Sequence, residues 1–291
     1  MIWILKIFIR AALWLFCIDI SIRNKRFLKT KGPLLIITNH PNSFLDAIII
    51  GAQYQRPIYF LARGDAFSKK HHRFILGLLN MIPIYRLREG KQFLHLNEYA
   101  FNESARLLKK GEAVLIFIEG TCINSHELQP FKKGATRIIE STHKQGIHPT
   151  IHITGIAYNQ LIGIGKDINI SINELILNYN INNAKDRVLF NKEVFKVLNE
   201  NIIIPNRPTN IKKTVFYYFH LPYYKLIKKF TQKKTSGTVF FDSVLFSILL
   251  FTYPLFLLLF FLILLLFQIP VPIIFGILLC IPIVSKQTIY N

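Results

Sequence analysis

Apolar and polar positions alternate in two different rhythms along this chain. Between residues 33 and 158, short apolar runs are separated by longer stretches with helical spacing. Residues 33–38, 57–62, 82–85, 113–118 and 150–158 are runs of strand length, rich in Ile, Val, Leu and Phe. Residues 44–51, 72–79, 96–110 and 135–144 place their apolar positions three and four apart, the third of them stopped by Gly111. Such alternation predicts an α/β fold, a mostly parallel sheet flanked by helices. No internal repeat is visible. The Asn-, Ile- and Lys-rich stretch 168–183 reads as composition bias and is given no element.

The ends follow another rhythm. Residues 239–267 are almost continuously apolar, and 273–284 form a second, shorter run. Gln268, Pro270 and Pro272 break them apart. A membrane helix needs about 20 apolar residues, so 235–291 is expected to be a C-terminal transmembrane hairpin. Residues 1–20 are apolar but carry Lys6 and Arg10, with Arg23, Lys25, Arg26, Lys29 and Lys31 behind them. Neither a leading charged segment nor a small-residue cleavage site is clear. An N-terminal interfacial helix with a basic flank is expected over 1–30, and the chain's two tryptophans, Trp3 and Trp14, suit an interface. The α/β domain is then 31–234.

Composition sharpens this division. Charged residues are 18% of the chain, below the roughly 25% of soluble domains, and mean hydropathy is +0.33. Lys286 and Asp242 are the only charges in 235–291, so the whole net charge of +20 lies in the first 234 residues. A basic, apolar chain fits an anionic membrane surface first and nucleic acid second. The basic residues are dispersed and carry no nucleic-acid motif, so no nucleic-acid partner is expected. Lys225, Lys228, Lys229, Lys233 and Lys234 precede the hairpin and are expected on the cytoplasmic side, with Lys286 returned to them. Cys17, Cys122 and Cys280 are too scattered for a disulfide framework or a zinc cluster, and adjacent His71 and His72 lack the i,i+4 spacing of a helical metal pair. No metal is expected. His126 reads as a loop residue.

Three motifs could carry chemistry. Asn39-His40-Pro41-Asn42-Ser43-Phe44-Leu45-Asp46 leaves a strand and opens a helix, where active groups of open α/β sheets gather. Six residues turn through about 600° of helix, so His40 and Asp46 meet only if Pro41 and Asn42 bend the chain. A carboxylate would then fix the imidazole tautomer while the other ring nitrogen takes a hydroxyl proton. Ser43-Phe44-Leu45-Asp46 is equally a capping box, the simpler reading of this motif alone. Glu119-Gly120-Thr121 follows another strand, and Lys132-Lys133-Gly134 opens the next helix. These make a phosphate site or a solvated charge pair at a turn. Arg86 ends the 82–85 run; arginine grips phosphate bidentately.

Together and in order, these motifs resemble the glycerolipid acyltransferases, over roughly residues 30–200. Asn39, His40 and Asp46 match the family's first block, and Arg86 its second. Glu119, Gly120, Thr121, Pro130, Phe131, Lys132, Gly134 and Ala135 match the third, and 149–158 the fourth. Five residues separate His40 from Asp46 where most members have four, and Cys122 stands where the commonest version has an Arg. The five-residue spacing with Asn-His-Pro-Asn is similar to a bacterial branch with a C-terminal membrane anchor, as is 239–243. The resemblance implies transfer of an acyl chain from acyl-CoA or acyl carrier protein to a glycerolipid hydroxyl, foremost lysophosphatidic acid. Glycerol-3-phosphate and a lyso-aminolipid are the alternatives. It implies His40 as general base, Asp46 as its partner, and Asn39, Arg86, Glu119, Gly120, Thr121, Lys132 and Lys133 as substrate-binding residues, with no cofactor besides the thioester. It also implies an integral protein of the bacterial inner membrane with its catalytic domain on the cytoplasmic face. A basic membrane-binding protein without activity is the rival reading.

Overall fold

The computed structural model describes residues 2–86, 90–206 and 211–290. Strand β2 (Leu34–Thr38) lies at the centre, every residue buried. It runs parallel to β5 (Ala113–Phe117) on one side and β6 (Thr150–Tyr158) on the other. Beyond β5 lie β3 (Ile58–Arg63) and β4 (Met81–Ile84), also parallel. Beyond β6 lie β7 (Lys166–Leu175) and β1 (Cys17–Arg23), completing the seven-stranded order β1-β7-β6-β2-β5-β3-β4. β6 and β7 are antiparallel. The mostly parallel α/β fold is therefore as expected.

Successive residues of a strand face opposite sides, and β2 divides the core accordingly. Leu34 and Ile36 pack with α1 (Ile2–Phe16), α2 (Ser43–Gln53) and the start of α8 (Phe241–Leu266). Leu35 and Ile37 pack with α4 (Asn97–Lys109), α5 (Gly134–His143) and α6 (Ala184–Asn201). The crossover helix α3 (Lys70–Leu78) lies between β3 and β4.

Three expectations about the ends change. The N-terminal helix stops at Phe16, and Cys17–Arg23 is an edge strand of the sheet. Its apolar and polar residues alternate with a period of two, which suits a half-exposed strand and not a helix. A boundary at residue 30 therefore cuts through the α/β domain. Lys6 and Arg10 do not simply flank a membrane helix. Lys6 Nζ donates to the carbonyls of Tyr54 (2.8 Å) and Arg56 (2.6 Å), and Arg10 Nε to that of Ala52 (2.7 Å), two cations on the unpaired carbonyls at the C-terminus of α2. Elsewhere on α1, Trp3, Ile4, Ile7 and Phe8 are more than half exposed.

At the other end, α7 (Val215–Thr235) belongs with the apolar helices and not with the sheet. His220 Nε2 meets Tyr253 Oη at 3.1 Å, and Tyr223 Oη meets Thr252 Oγ1 at 2.8 Å, both across to α8. α8 and α9 (Val271–Tyr290) are each long and apolar enough to cross a membrane. The chain reverses between them at Gln268, whose φ is 56°. Lys286 of α9 donates to the carbonyls of Trp14 and Cys17, so the hairpin ends beside the sheet domain from which it started.

Candidate active site

The centre of the sheet sends β2 out at its C-terminal edge, and the next two residues are already committed. Asn39 is buried, and its side chain clamps the exit of β2 to the neighbouring β6. Its Nδ2 donates to Ile156 O and its Oδ1 accepts from Ile156 N, each at 2.9 Å. His40 follows, stacked on Phe117 of β5 with ring centroids 3.7 Å apart. Pro41, Asn42 and Ser43 then turn the chain, Ser43 taking a left-handed φ of 52°.

That turn brings Asp46 back under His40, with Nδ1 2.9 Å from Oδ2. Asp46 is fully buried, a site where an ionised carboxylate needs donors. Asn42 N–H donates to the same Oδ2 at 2.8 Å, and Tyr158 Oη donates to Oδ1 at 2.5 Å. With Asp46 accepting, Nδ1 carries the imidazole proton and Nε2 is left as the base. The capping box is only half present. The helix begins at Ser43, with Asn42 as its N-cap and no side-chain cap bond. Asp46 does reach back to a backbone N–H, but from there it serves His40 too.

Tyr158 was no candidate in the sequence. It ends β6 as His40 follows β2, so position at a strand terminus was the one signal available. Burial and the Asp46 charge hold its phenol well above the ordinary range, a donor at any working pH. Its backbone N–H donates to His126 Nε2 at 3.1 Å. His126 is thus no free loop residue; burial lowers its pKa first of all.

Glu119 lies behind the dyad. It is 3% exposed, and burial, then the Asp46 charge, raise its pKa to about 7, opposed by the backbone N–H groups of Gln129 and His40. Asn39 and Glu119, both expected to touch substrate, instead support the backbone around His40. Cys122 Sγ accepts the Ser43 N–H at 2.9 Å. Burial, then Asp46, push its thiol up to about 12, so it stays protonated and is a poor nucleophile.

In front of His40 opens a cavity of ≈ 630 Å³. Of the expected residues, Arg86, Gly120, Thr121, Lys132 and Lys133 line it with His40. Gly120 sits at a φ of +63°, and a Cβ there would come within 2.8 Å of Lys132 Cγ. This close approach explains a glycine beside the lysine. Arg63 and Arg137 join the same cavity. Arg63 ends β3 as Arg86 follows β4, a parallel the sequence held; nothing in the sequence marked Arg137. Apolar residues line it too: Phe44, Ala47, Phe60, Met81, Val239 and Phe240. The last two come from the segment leading into α8. A second cavity of ≈ 270 Å³ lies among α1, α7, α8 and α9, with mostly aromatic and aliphatic walls. Among the described residues, no cluster of three or more His, Cys, Asp or Glu could hold a metal ion.

A base beside a cavity lined by both cationic and apolar side chains is suited to an amphiphile bearing an anionic head and a hydroxyl. A family model described as acyltransferase matches residues 19–159. Over that segment the chain resembles the acyltransferases. The acyltransferase match runs from β1 to the end of β6 and so contains His40, Asp46, Arg86, Glu119 and Tyr158, but stops well short of α8. The chain is 30% identical over 166 residues to the chloroplastic 1-acyl-sn-glycerol-3-phosphate acyltransferase BAT2 of Brassica napus, which covers 56% of this chain. It spans 41% of that relative's length. The crystal structure of the 1-acyl-sn-glycerophosphate (LPA) acyltransferase PlsC from Thermotoga maritima superposes with a TM-score of 0.47 at 18% identity, covering 67% of this chain and 75% of that one.

Proposed function

We propose that the protein is an O-acyltransferase that moves a fatty acyl chain from a thioester to the free hydroxyl of lysophosphatidic acid, giving phosphatidic acid at a membrane surface. The observation carrying this reading is His40, held through Nδ1 by a buried carboxylate, in a cavity lined by five basic residues together with apolar ones. His40 Nε2 takes the acceptor hydroxyl's proton as the oxygen attacks the thioester carbonyl. The tetrahedral intermediate expels the thiolate, and the imidazolium returns the proton to it. Asp46 stabilises the imidazolium between these steps. A positioned base of this kind contributes about 10²–10⁴-fold. The protonated Cys122 and the absence of any need for an acyl-enzyme fit direct transfer.

The cationic residues Arg63, Arg86, Lys132, Lys133 and Arg137 favour a phosphate-bearing acceptor, and the apolar lining favours acyl chains. α8, α9 and the exposed apolar residues of α1 fit attachment to a membrane, and the lysines of α7 fit its cytoplasmic face. The bacterial inner membrane and an acyl-CoA or acyl carrier protein donor complete this reading.

The test is acyl transfer by detergent-solubilised protein, using radiolabelled acyl-CoA and acyl carrier protein thioesters. Lysophosphatidic acid, glycerol-3-phosphate and a lyso-aminolipid are the acceptors. Labelled phosphatidic acid is expected, with turnover falling at least about 10²-fold in a folded His40→Ala variant. Transfer to the aminolipid alone would move the acceptor and keep the chemistry. No transfer to any acceptor from folded protein with both donors would sink the enzymatic reading.

A further inference from the structure

The head of the apolar helix α8 is built into the catalytic turn. Asp242, in its first turn, is buried against Lys166 of β7, with Oδ2 and Nζ 2.7 Å apart. The same Oδ2 accepts from Asn42 Nδ2 at 3.0 Å, and Oδ1 accepts from Gly163 N–H at 2.8 Å. Asn42 Nδ2 is also bonded to Leu161 O at 2.8 Å. One residue along α8, Ser243 Oγ accepts the Leu45 N–H at 3.0 Å. The two grips fall on residues 42 and 45, inside the turn whose ends are His40 and Asp46. Asn42 connects them to the chemistry, because its backbone N–H donates to the Asp46 oxygen that faces His40 Nδ1.

Such a turn needs holding from outside. Ser43 occupies a backbone region that non-glycine residues adopt only when their surroundings impose it. The α/β domain offers Asn42 the Leu161 carbonyl, Ser43 the Cys122 sulfur and Asp46 the Tyr158 hydroxyl; α8 adds the holds on the Asn42 side chain and the Leu45 N–H. We propose that Asp242 and Ser243 are positioning residues, through which the membrane-anchor helix sets the geometry of the His40–Asp46 pair, with Lys166 neutralising the buried carboxylate. The anchor then does more than tether the domain: it completes the site.

Removing one member of a buried ion pair strands the other, so both charges are removed together in Lys166→Met with Asp242→Asn. The amide that replaces the Asp242 carboxylate keeps an oxygen for Gly163 and turns an NH2 group towards Asn42. The full chain is studied in lipid nanodiscs by amide hydrogen exchange and by acyl-transfer kinetics. Exchange over residues 39–46 is expected to quicken at least about tenfold while β2, β5 and α4 keep their protection. kcat is expected to fall about 10- to 100-fold, as a misplacement of about 1 Å can cost, with acceptor KM within twofold. The loss should vanish in an Asn42→Ala background, because both changes break one linkage. Ser243→Ala should quicken exchange at Leu45 alone.

The kinetic arm rests on the proposed acyl transfer, but the exchange arm does not. If the unmutated protein transfers to no acceptor, the functional reading fails and exchange over 39–46 alone decides this inference. Unchanged exchange there in the folded neutral variant would overturn it, and so would a kcat loss that multiplies with that of Asn42→Ala.

Discussion

Two groups of residues at the cavity are held in opposite ways. Asp46 is fully buried with a donor on each oxygen, and His40 is pinned between that carboxylate and the Phe117 ring. Elsewhere around the cavity, Lys132, Lys133 and Arg137 are exposed, on and just before the first turn of α5. Arg137 leans on the face of Phe101, 5.6 Å from the ring centroid, and Arg63 on Phe240 at 5.4 Å. On the proposed chemistry the pair is held fast because proton transfer tolerates little misplacement. In the same reading the cationic residues act by charge at longer reach, and flexible side chains on loops and helix ends suffice for that.

The sharpest challenge to this contrast is Asp46→Asn. It keeps the volume but removes the charge that stabilises the imidazolium, and kcat should fall about 10³-fold or more, as losses of a triad carboxylate do. A loss under tenfold in folded protein, measured by single-turnover transfer, would mean the dyad is no dyad. Next comes Tyr158→Phe. It leaves Asp46 Oδ1 without its phenolic donor, and a hydrogen bond to a charged group contributes about 1.5–3 kcal/mol. We expect kcat down roughly tenfold or more with acceptor KM unchanged; a KM effect instead would move Tyr158 from support to recognition.

The basic residues should answer differently. Lys132→Ala and Arg137→Ala should raise KM for a phosphate acceptor by about two- to tenfold with kcat nearly constant, since exposed charges are worth about 0.2–1 kcal/mol each and act together. The difference from unmutated protein should shrink in about 0.5 M salt, where screening is strong. A salt-independent drop in kcat would place these residues on the rigid side of the comparison.

The smallest effect concerns stability. The Glu119 carboxyl is held near 7 in the fold against 4.5 as its ordinary value. Below 4.5 both folded and unfolded chains hold this proton. Between 4.5 and 7 the unfolded chain gives it up first, so this group's contribution to stability declines as pH rises, and above 7 the full cost remains. Glu119→Gln should therefore flatten the fall in Tm between about pH 5 and 7.5, read by differential scanning fluorimetry with both proteins in the same buffers. Parallel curves would show that Glu119 titrates normally.

Much of the fold was legible because local pattern and tertiary role agree. The five apolar runs between 33 and 158 became β2 to β6; β2 and β5 are apolar almost throughout because a central strand is buried on both faces. Strand β7 escaped because its Ile168, Ile170 and Ile172 alternate with Asn169, Ser171 and Asn173, a strand rhythm hidden in an Asn- and Ile-rich composition. β1 escaped because it continues an apolar helix without a break. In the site, His40 and Asp46 were legible as a pair, but the same letters spelled a helix cap.

The order of residues along the chain specifies an inventory: a basic α/β domain, apolar tail helices, and an Asn-His-Pro-Asn turn at the end of a buried strand. Packing alone sets the partnership of groups far apart in that order. Tyr158 reaches Asp46 across 112 positions, and Asp242 reaches Asn42 across 200. A lone acid at the head of an apolar helix has no periodicity to give it away. Its meaning depends on which buried lysine and which turn it meets, and that is settled by how the sheet and the helices pack.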